Sequence, residues 1–212
     1  MGAWAGLGEI VLLNLPNDYM LFERLDLIKE ERLLLQITIL SLVVAVIVLI
    51  PGFFVAPFSF QFPSEMEPWF LPYLLWFLAL ALLILFHELI HGFSMKMFTT
   101  AKIKYGFAFA YAYAGCSAYF NRRQYIVIAL APVVLLGVFL LALTFLLPQN
   151  WFWTIHIFQV INISSAAGDI FMVNYIRKRP ANVLVLDDGP AMSIYERRPP
   201  TKEDINVQST VT

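Results

Sequence analysis

Two histidines four residues apart could bind one metal ion. The stretch His87-Glu88-Leu89-Ile90-His91 contains two of the three histidines in the chain. On a helix, residues i and i+4 lie on the same face one turn apart, so both imidazoles could reach a single ion. Glu88 would then lie beside that ion, where a carboxylate can act as a general base for water. This H-E-x-x-H spacing predicts a zinc site with Glu88 as the catalytic residue.

The composition indicates a protein that crosses a membrane several times. The 212 residues are 60% hydrophobic and 14% charged, and the mean hydropathy is +0.73. Both values lie outside the range of typical soluble domains. The net charge of −1 gives no basic excess, which argues against nucleic acid as a partner. The single cysteine, Cys116, excludes an intramolecular disulfide, and nothing near it in sequence would activate it as a nucleophile.

Four apolar stretches predict four transmembrane helices, at about residues 33–55, 69–93, 125–147 and 152–176. Lysines and arginines cluster before the first stretch, between the second and third, and after the fourth. The positive-inside rule then predicts a multi-pass protein of the cell membrane with both termini in the cytoplasm. The expected fold class is a mainly α membrane protein with a small β-hairpin at the membrane interface and a cytoplasmic C-terminal hairpin.

Three regions are expected along the chain. Residues 1–32 form an amphipathic N-terminal segment, with a helix over residues 17–34 that lies along the membrane surface or packs on the protein. Residues 33–176 form the four-helix core. Residues 177–212 form a polar tail, in which strand-like runs at 183–186 and 192–196 flank the turn Asp187-Asp188-Gly189-Pro190. This predicts a β-hairpin with Asp187 and Asp188 as turn residues, followed by a disordered end.

A third metal ligand is expected at the depth of the two histidines. Counted from the nearest basic residue at 1.5 Å per residue, His87 and His91 lie roughly 8–14 Å inside the cytoplasmic end of their helix. Asp169 is the acid found in the other three spans, and the same count places it roughly 12 Å inside that end. His156 lies roughly 20 Å further along the same helix. Depth therefore favours Asp169 over His156 as the third ligand.

Polar and small residues precede Asp169 on the fourth span. Asn162 lies two turns back on the same face, where its amide could hydrogen-bond a substrate backbone or a developing oxyanion. The alternative for Asn162 is an interhelical hydrogen bond, which is common in membranes. The small residues 164–168 would let the fourth span approach the second closely.

Aromatic and small residues alternate strictly over residues 105–114. This period of two predicts a strand with one aromatic face, turned back at 115–117 through residues 118–120. The strand follows the metal helix directly, so it could pair with an extended substrate by edge addition. Phe109, Tyr111 and Tyr113 are therefore candidate substrate-binding residues. The alternative is a hairpin that only plugs the bundle, and the C-terminal hairpin could pair with it.

These features together resemble the site-2-protease-like intramembrane zinc metalloproteases. Even more closely, the chain is similar to a small family of zincin-type peptidases of unknown function. The matching pieces span about residues 69–196 and include the H-E-x-x-H stretch, the aromatic strand, Ala129-Leu130-Ala131-Pro132, Gly168-Asp169 and the C-terminal hairpin. The resemblance implies that His87, His91 and Asp169 bind zinc, that Glu88 is the base, and that membrane-spanning segments are the substrates.

The fourth span departs from the site-2-protease pattern. That pattern usually has Asn, a Pro three residues later, and then Asp followed by Gly. Here Ser165 stands three residues after Asn162, and Gly168 precedes Asp169.

The expected function is therefore an intramembrane zinc metalloprotease that hydrolyses membrane-spanning or membrane-associated substrates through a water activated by Glu88. Two alternatives stay open. The first is a protease-like scaffold without hydrolysis, although a pure binder has no need of Glu88. The second is a transporter that uses the same side chains as a metal or proton relay, for which a homodimer could supply the missing helices. A haem protein is less favoured still, because His87 and His91 lie on one face and cannot be opposite axial ligands of one haem.

Overall fold

A computed structural model describes residues 13–26, 29–59, 69–108 and 111–199. Its helices are α1 (Glu31–Val55), α2 (Leu71–Lys96), α3 (Arg122–Leu146), α4 (Phe152–Ser165) and α5 (Ala167–Arg177), with a 3-10 turn at Gln149–Trp151 before α4. Its strands are β1 (Tyr19–Asp26), β2 (Lys104–Ala108), β3 (Tyr111–Gly115), β4 (Tyr119–Asn121), β5 (Leu184–Asp187) and β6 (Ala191–Arg197). The predicted fold class is confirmed.

The long helices are suited to a lipid environment. α1, α2, α3 and the segment from Gln149 to Arg177 are 25, 26, 25 and 29 residues long. At 1.5 Å per residue each exceeds the roughly 30 Å of bilayer hydrocarbon. Large apolar side chains cover their outer faces, and in α1 only Leu33 and Gly52 are buried. An apolar surface of this extent is typical of a protein that lies in a membrane. The four long apolar helices therefore fit a multi-pass membrane protein.

Two apolar cores hold the helices together. The smaller core lies between α2, α3 and α4 and contains Leu83, Leu136, Leu140 and Ile155. The larger core joins the ends of α2, α3 and α5 to the strands, and its members include Met95, Phe120, Ile128, Ile176, Val185 and Ile194. The strands therefore pack on one end of the helix bundle and fix the helix ends that carry the predicted site.

The C-terminal hairpin is confirmed as β5 and β6, with antiparallel pairs from Leu184↔Tyr195 to Asp187↔Met192. Its turn uses Gly189 at a φ of 97°, a conformation that glycine adopts without strain. The side chains of Asp187 and Asp188 accept 3.0 Å hydrogen bonds from turn amides, as predicted for turn residues. Within the described residues, this hairpin does not pair with β2 or β3. It joins β1 and β4 in an antiparallel sheet of order β1-β6-β5-β4.

The helix predicted over residues 17–34 is wrong. Residues Tyr19–Asp26 form β1, which pairs with β6 from Tyr19↔Arg197 to Asp26↔Ala191, and α1 begins only at Glu31. The spacing of Leu21 and Leu25 suits a helix locally, but a strand from the other end of the chain offers a complete set of backbone partners. Long-range pairing therefore overrides the local pattern.

The single strand predicted over residues 105–113 is also wrong, because the chain turns within the alternation. β2 and β3 form an antiparallel hairpin with Tyr105↔Ala114, Gly106↔Tyr113 and Phe107↔Ala112 as partners. Paired residues share a face, so Tyr105, Phe107 and Tyr113 each stand beside a small residue, and both faces of the hairpin carry aromatic residues. The predicted return strand, 118–120, becomes β4 and pairs with β5 instead.

Two of the predicted substrate-binding residues cannot be assigned positions for their side chains. Phe109 lies outside the described residues, and for Tyr111 the described part is the backbone in β3. Tyr113 is described fully, and its ring lies over Gly106 and Gly189. The β2–β3 hairpin therefore packs on the turn between β5 and β6.

Candidate metal centre

His87, His91 and Asp169 converge at one point between α2 and α5. His87 Nε2 lies 3.4 Å from Asp169 Oδ2, and His91 Nε2 lies 3.5 Å from Asp169 Oδ1. One ligand atom from each residue can be chosen so that all three lie within 4.8 Å of one another. Both histidines are buried. The structure thus brings together the three residues that spacing and depth selected.

The environment of His91 directs its Nε2 atom toward Asp169. His91 Nδ1 lies 3.0 Å from the carbonyl oxygen of Ile128 in α3. A carbonyl can only accept, so Nδ1 donates to it, and in the neutral imidazole Nε2 is then the nitrogen that can bind a metal. Ligating histidines are commonly held in this way, with the second ring nitrogen donating to a backbone carbonyl.

Pro132 explains why the Ile128 carbonyl is available. In a regular helix that carbonyl would accept from the amide four residues later, and position 132 in α3 is a proline without an N–H. The freed carbonyl faces α2 and receives His91 instead. The Ala129–Pro132 stretch was singled out from the sequence only by resemblance. The sequence signal for this role is the spacing itself, because a proline inside a helix frees the carbonyl four residues before it for another donor.

A capping box fixes the start of α3, from which the Ile128 carbonyl projects. The Asn121 side chain accepts from the amides of Arg123 and Gln124, and Gln124 Oε1 accepts from the Asn121 amide at 2.9 Å. This reciprocal arrangement satisfies the free amides of the first turn. The depth of Ile128 beside His91 is therefore set by a rigid helix start.

A break in the fourth span positions Asp169. α4 ends at Ser165 and α5 begins at Ala167. Hydroxyls of Ser41, Ser164 and Ser165 donate to backbone carbonyls beside the break at 2.9, 3.4 and 3.1 Å. These bonds help satisfy backbone groups that lipid could not. Asp169 lies in the first turn of α5, where the helix dipole favours a negative charge.

Glu88 lies beside the cluster, and β3 lies on its other side. The backbone amide of Ala114 points toward the Glu88 carboxylate. Successive amides of an antiparallel strand point to alternate edges, so Ala112, Ala114 and Cys116 share one edge. The Cys116 amide donates to the Asp187 carbonyl at 2.8 Å. One edge of β3 therefore runs past Glu88 and ends at Asp187.

A cavity of about 480 Å³ contains all of these groups. Residues of α1, α2, α3, β3, the α4–α5 break and the β5–β6 turn line it, among them His87, Glu88, His91 and Asp169. Tyr113, the described member of the aromatic candidates, also lines it. The space is large enough for several residues of an extended peptide.

His156, Asn162 and Cys116 do not line the cavity, whereas Ser164, Ser165 and Gly168 do. His156 Nε2 lies 3.3 Å from the Leu49 carbonyl, and its ring stacks on Phe152. Asn162 is buried and donates to the Val133 carbonyl at 3.3 Å. This is the interhelical hydrogen bond that was the alternative to a substrate contact. The small residues before Asp169 pack on α1, because Ser41 binds Ser164 and Gly168 faces Ile37. Cys116 is buried in the larger core.

Two cavity residues were missed as site candidates, Asp187 and Tyr125. Asp187 was interpreted only as a turn residue, yet its side chain lines the cavity and accepts a 3.3 Å hydrogen bond from the Tyr125 hydroxyl. Burial raises the pKa of the Asp187 carboxyl to about 7. No local pattern could reveal this position, because it depends on the packing of the β5–β6 turn against β3.

The donor set fits a catalytic zinc site. Two imidazoles and one carboxylate are a known combination of three protein ligands, with a fourth position left for substrate or water. Ligands about 2.0–2.1 Å from a tetrahedral ion lie roughly 3.4 Å apart, close to the 3.4 and 3.5 Å separations in this cluster. The residues present therefore fit the metal.

Comparison with known proteins gives the family. No curated protein and no solved structure matches the chain. A family model described as "Putative zincin peptidase" matches residues 79–184, which is half of the chain and includes Glu88 and the three residues of the cluster. That description suggests a metallopeptidase and implies zinc as the metal. The chain belongs to this zincin peptidase family.

Proposed function

We propose that the protein is an intramembrane zinc metallopeptidase that hydrolyses peptide bonds of membrane-spanning or membrane-associated substrates. The observation that carries this proposal is the convergence of His87, His91 and Asp169 beside Glu88 in one cavity of a membrane helix bundle. The resemblance to site-2-protease-like enzymes points the same way.

The chain's own residues would divide the work as follows. His87, His91 and Asp169 would hold zinc, which supplies a Lewis acid that polarises the scissile carbonyl and acidifies water. The Glu88 carboxylate takes a proton from the attacking water as its oxygen bonds to the carbonyl carbon. Glu88 then delivers that proton to the departing amine nitrogen when the C–N bond breaks. The Ala114 amide lies beside the Glu88 carboxylate, at the edge of β3.

The edge of β3 is suited to hold the substrate extended. A helical substrate hides its carbonyls in its own hydrogen bonds, so it must unwind before hydrolysis. The Ala112–Ala114 edge faces the cavity beside Glu88, and strand addition there would present a substrate carbonyl to the site. Tyr113 would support this edge, because its ring packs on Gly189 in the β5–β6 turn.

The site lies close to one end of the bundle. α2 carries His91 five residues before Lys96, its last residue, and the basic residues around this end favour the cytoplasmic side. We propose that cleavage takes place near the cytoplasmic face of the cell membrane, with both termini on that side.

The test compares Glu88→Gln with the wild type in detergent micelles. Zinc-loaded proteins are incubated with a pool of single-span membrane peptides, and products are identified by mass spectrometry. Glu88→Gln should keep about one zinc per chain and lose cleavage by at least roughly 10³-fold. Glu31→Gln, an acid-to-amide change at the start of α1, is the matched control and should cleave normally. Turnover retained in Glu88→Gln, or no cleavage by the zinc-loaded wild type, would contradict the proposal.

A further inference from the structure

Asp187 differs from the other acids of the β5–β6 turn and its neighbourhood. Asp188 forms an ion pair with Arg24 at 3.1 Å, and Asp26 pairs with Lys29 at 3.6 Å. Asp187 instead accepts from two neutral donors, the Tyr125 hydroxyl at 3.3 Å and the Gly189 amide at 3.0 Å. Among the described residues, no lysine or arginine forms an ion pair with it. Its carboxylate is therefore held in place but not neutralised.

The charge of the cavity is also unbalanced. Glu88, Asp169 and Asp187 line it, whereas none of the described lining residues is lysine or arginine. A divalent ion at the histidine cluster would offset two of the three negative charges. The third belongs to Asp187, whose pKa is raised to about 7 by burial, and a positive group beside it would stabilise its charged form. A ligand with one positive group would complete the charge balance.

The spacing of amides along β3 gives the distance between Asp187 and the peptide bond that would be cleaved beside Glu88. The Ala114 amide lies beside Glu88, and the Cys116 amide donates to the Asp187 backbone carbonyl. These amides are two residues apart on one strand, which corresponds to roughly 6.6 Å at 3.3 Å per residue. Because Asp187 already occupies the Cys116 amide, a strand bound along the Ala112–Ala114 edge would reach Asp187 about two residues from the bond beside Glu88.

We propose that Asp187 makes the cavity select substrates that carry a lysine or arginine side chain about two residues from the cleaved bond. This inference rests on the proposed function. It names the substrate class of the same site, and Asp187 acts as a specificity residue that binds the side chain without taking part in the hydrolysis. Tyr125 and Gly189 orient the carboxylate, and the apolar wall, which includes Met192, suits the methylene stem of such a side chain.

The experiment measures binding and cleavage separately. The probes are N-acetylated, C-amidated apolar peptides that differ at one central residue, which is lysine, norleucine or glutamate. Acetylation leaves the lysine side chain as the positive group. Binding is measured by fluorescence anisotropy on zinc-loaded Glu88→Gln protein, alone and combined with Asp187→Asn. The combination with Asp188→Asn is the matched control, since Asp188 is the adjacent acid and pairs with Arg24.

The lysine peptide should bind at least roughly tenfold more tightly than the norleucine peptide, and the glutamate peptide should bind most weakly. Asp187→Asn should remove the difference between lysine and norleucine, because asparagine can still accept the Gly189 amide but has no charge. Asp188→Asn should keep the difference. Equal affinities for lysine and norleucine, or a preference that survives Asp187→Asn, would overturn the inference.

Cleavage by the wild type separates this inference from the proposed function. If no peptide is cleaved but the lysine preference depends on Asp187, the proposed function fails and the cation site stands as a binding site. If peptides are cleaved at equal rates whatever the central residue, and bind equally, the proposed function stands and the specificity inference fails.

Discussion

His91 and His156 are both histidines on apolar helices, and both contact a backbone carbonyl of a neighbouring helix. His91 uses Nδ1 for the Ile128 carbonyl and keeps Nε2 for Asp169 at 3.5 Å, beside an open cavity. His156 uses Nε2 for the Leu49 carbonyl, and its ring lies between Phe152 and Trp153 at centroid distances of 5.4 and 5.6 Å. His91 therefore has a ring nitrogen that faces an acid. The His156 ring instead contacts two aromatic side chains.

The difference shows that the residue type alone does not define a ligand in a membrane. A histidine becomes a candidate ligand here because an acid and open space lie on its free side, and because its other nitrogen has a fixed acceptor. His156 has an acceptor but faces aromatic side chains, so its role is packing between α1 and α4. The following predictions test this contrast, from the largest expected effect to the smallest.

Removing the acid should separate the two histidines most clearly. Asp169→Ala removes one of three protein ligands, so zinc affinity should fall by more than roughly 100-fold. His156→Phe preserves an aromatic ring in the same surroundings and should keep about one zinc per chain. The measurement is metal content of purified protein, followed by competition with a chromophoric chelator. Equal zinc retention in Asp169→Ala and the wild type would assign the metal to another ligand set.

Restoring a backbone amide should weaken the site by a smaller amount. Pro132→Ala supplies an N–H that competes for the Ile128 carbonyl, so His91 would lose part of its orientation. Zinc affinity should fall by about 10-fold, the lower range for loss of a ligand's hydrogen-bond partner. Pro51→Ala makes the same change inside α1 and should leave zinc affinity unchanged. The chelator competition measures both variants, and equal effects would show that the prolines act only on helix stability.

Adding a methyl group at a glycine beside each histidine should affect stability rather than chemistry. A Cβ at Gly52 would clash with the rings of His156 and Trp153, and Trp153 is only 2% exposed, so it has little room to move. A Cβ at Gly92 would meet the end of Tyr105, whose side chain is half-exposed and can rotate away. Gly52→Ala should therefore cost about 1–3 kcal/mol of unfolding free energy and Gly92→Ala less.

Thermal unfolding in detergent, with zinc content as the companion measurement, checks this pair. Gly52→Ala should lower the melting temperature more than Gly92→Ala while keeping its zinc. A larger loss in Gly92→Ala would mean that Tyr105 is fixed in place and supports the metal helix.

The sequence alone determined the features that depend on short spacing and composition. The i, i+4 histidines specify one helix face, and long apolar runs with few charges specify the four spans, because helix geometry and hydrocarbon thickness leave few alternatives. Depth along these spans was enough to select Asp169 over His156. The C-terminal hairpin followed from a strong turn sequence between two apolar runs.

Only the tertiary structure decided the features that depend on partners distant in sequence. β1 is a strand because β6 lies beside it, and the aromatic alternation splits into two strands that pair with each other. Pro132 gains its role because the carbonyl it frees faces His91, and Asp187 enters the cavity because its turn packs on β3. Local patterns specify which conformations a segment can adopt, but long-range contacts select among them and determine which polar groups meet.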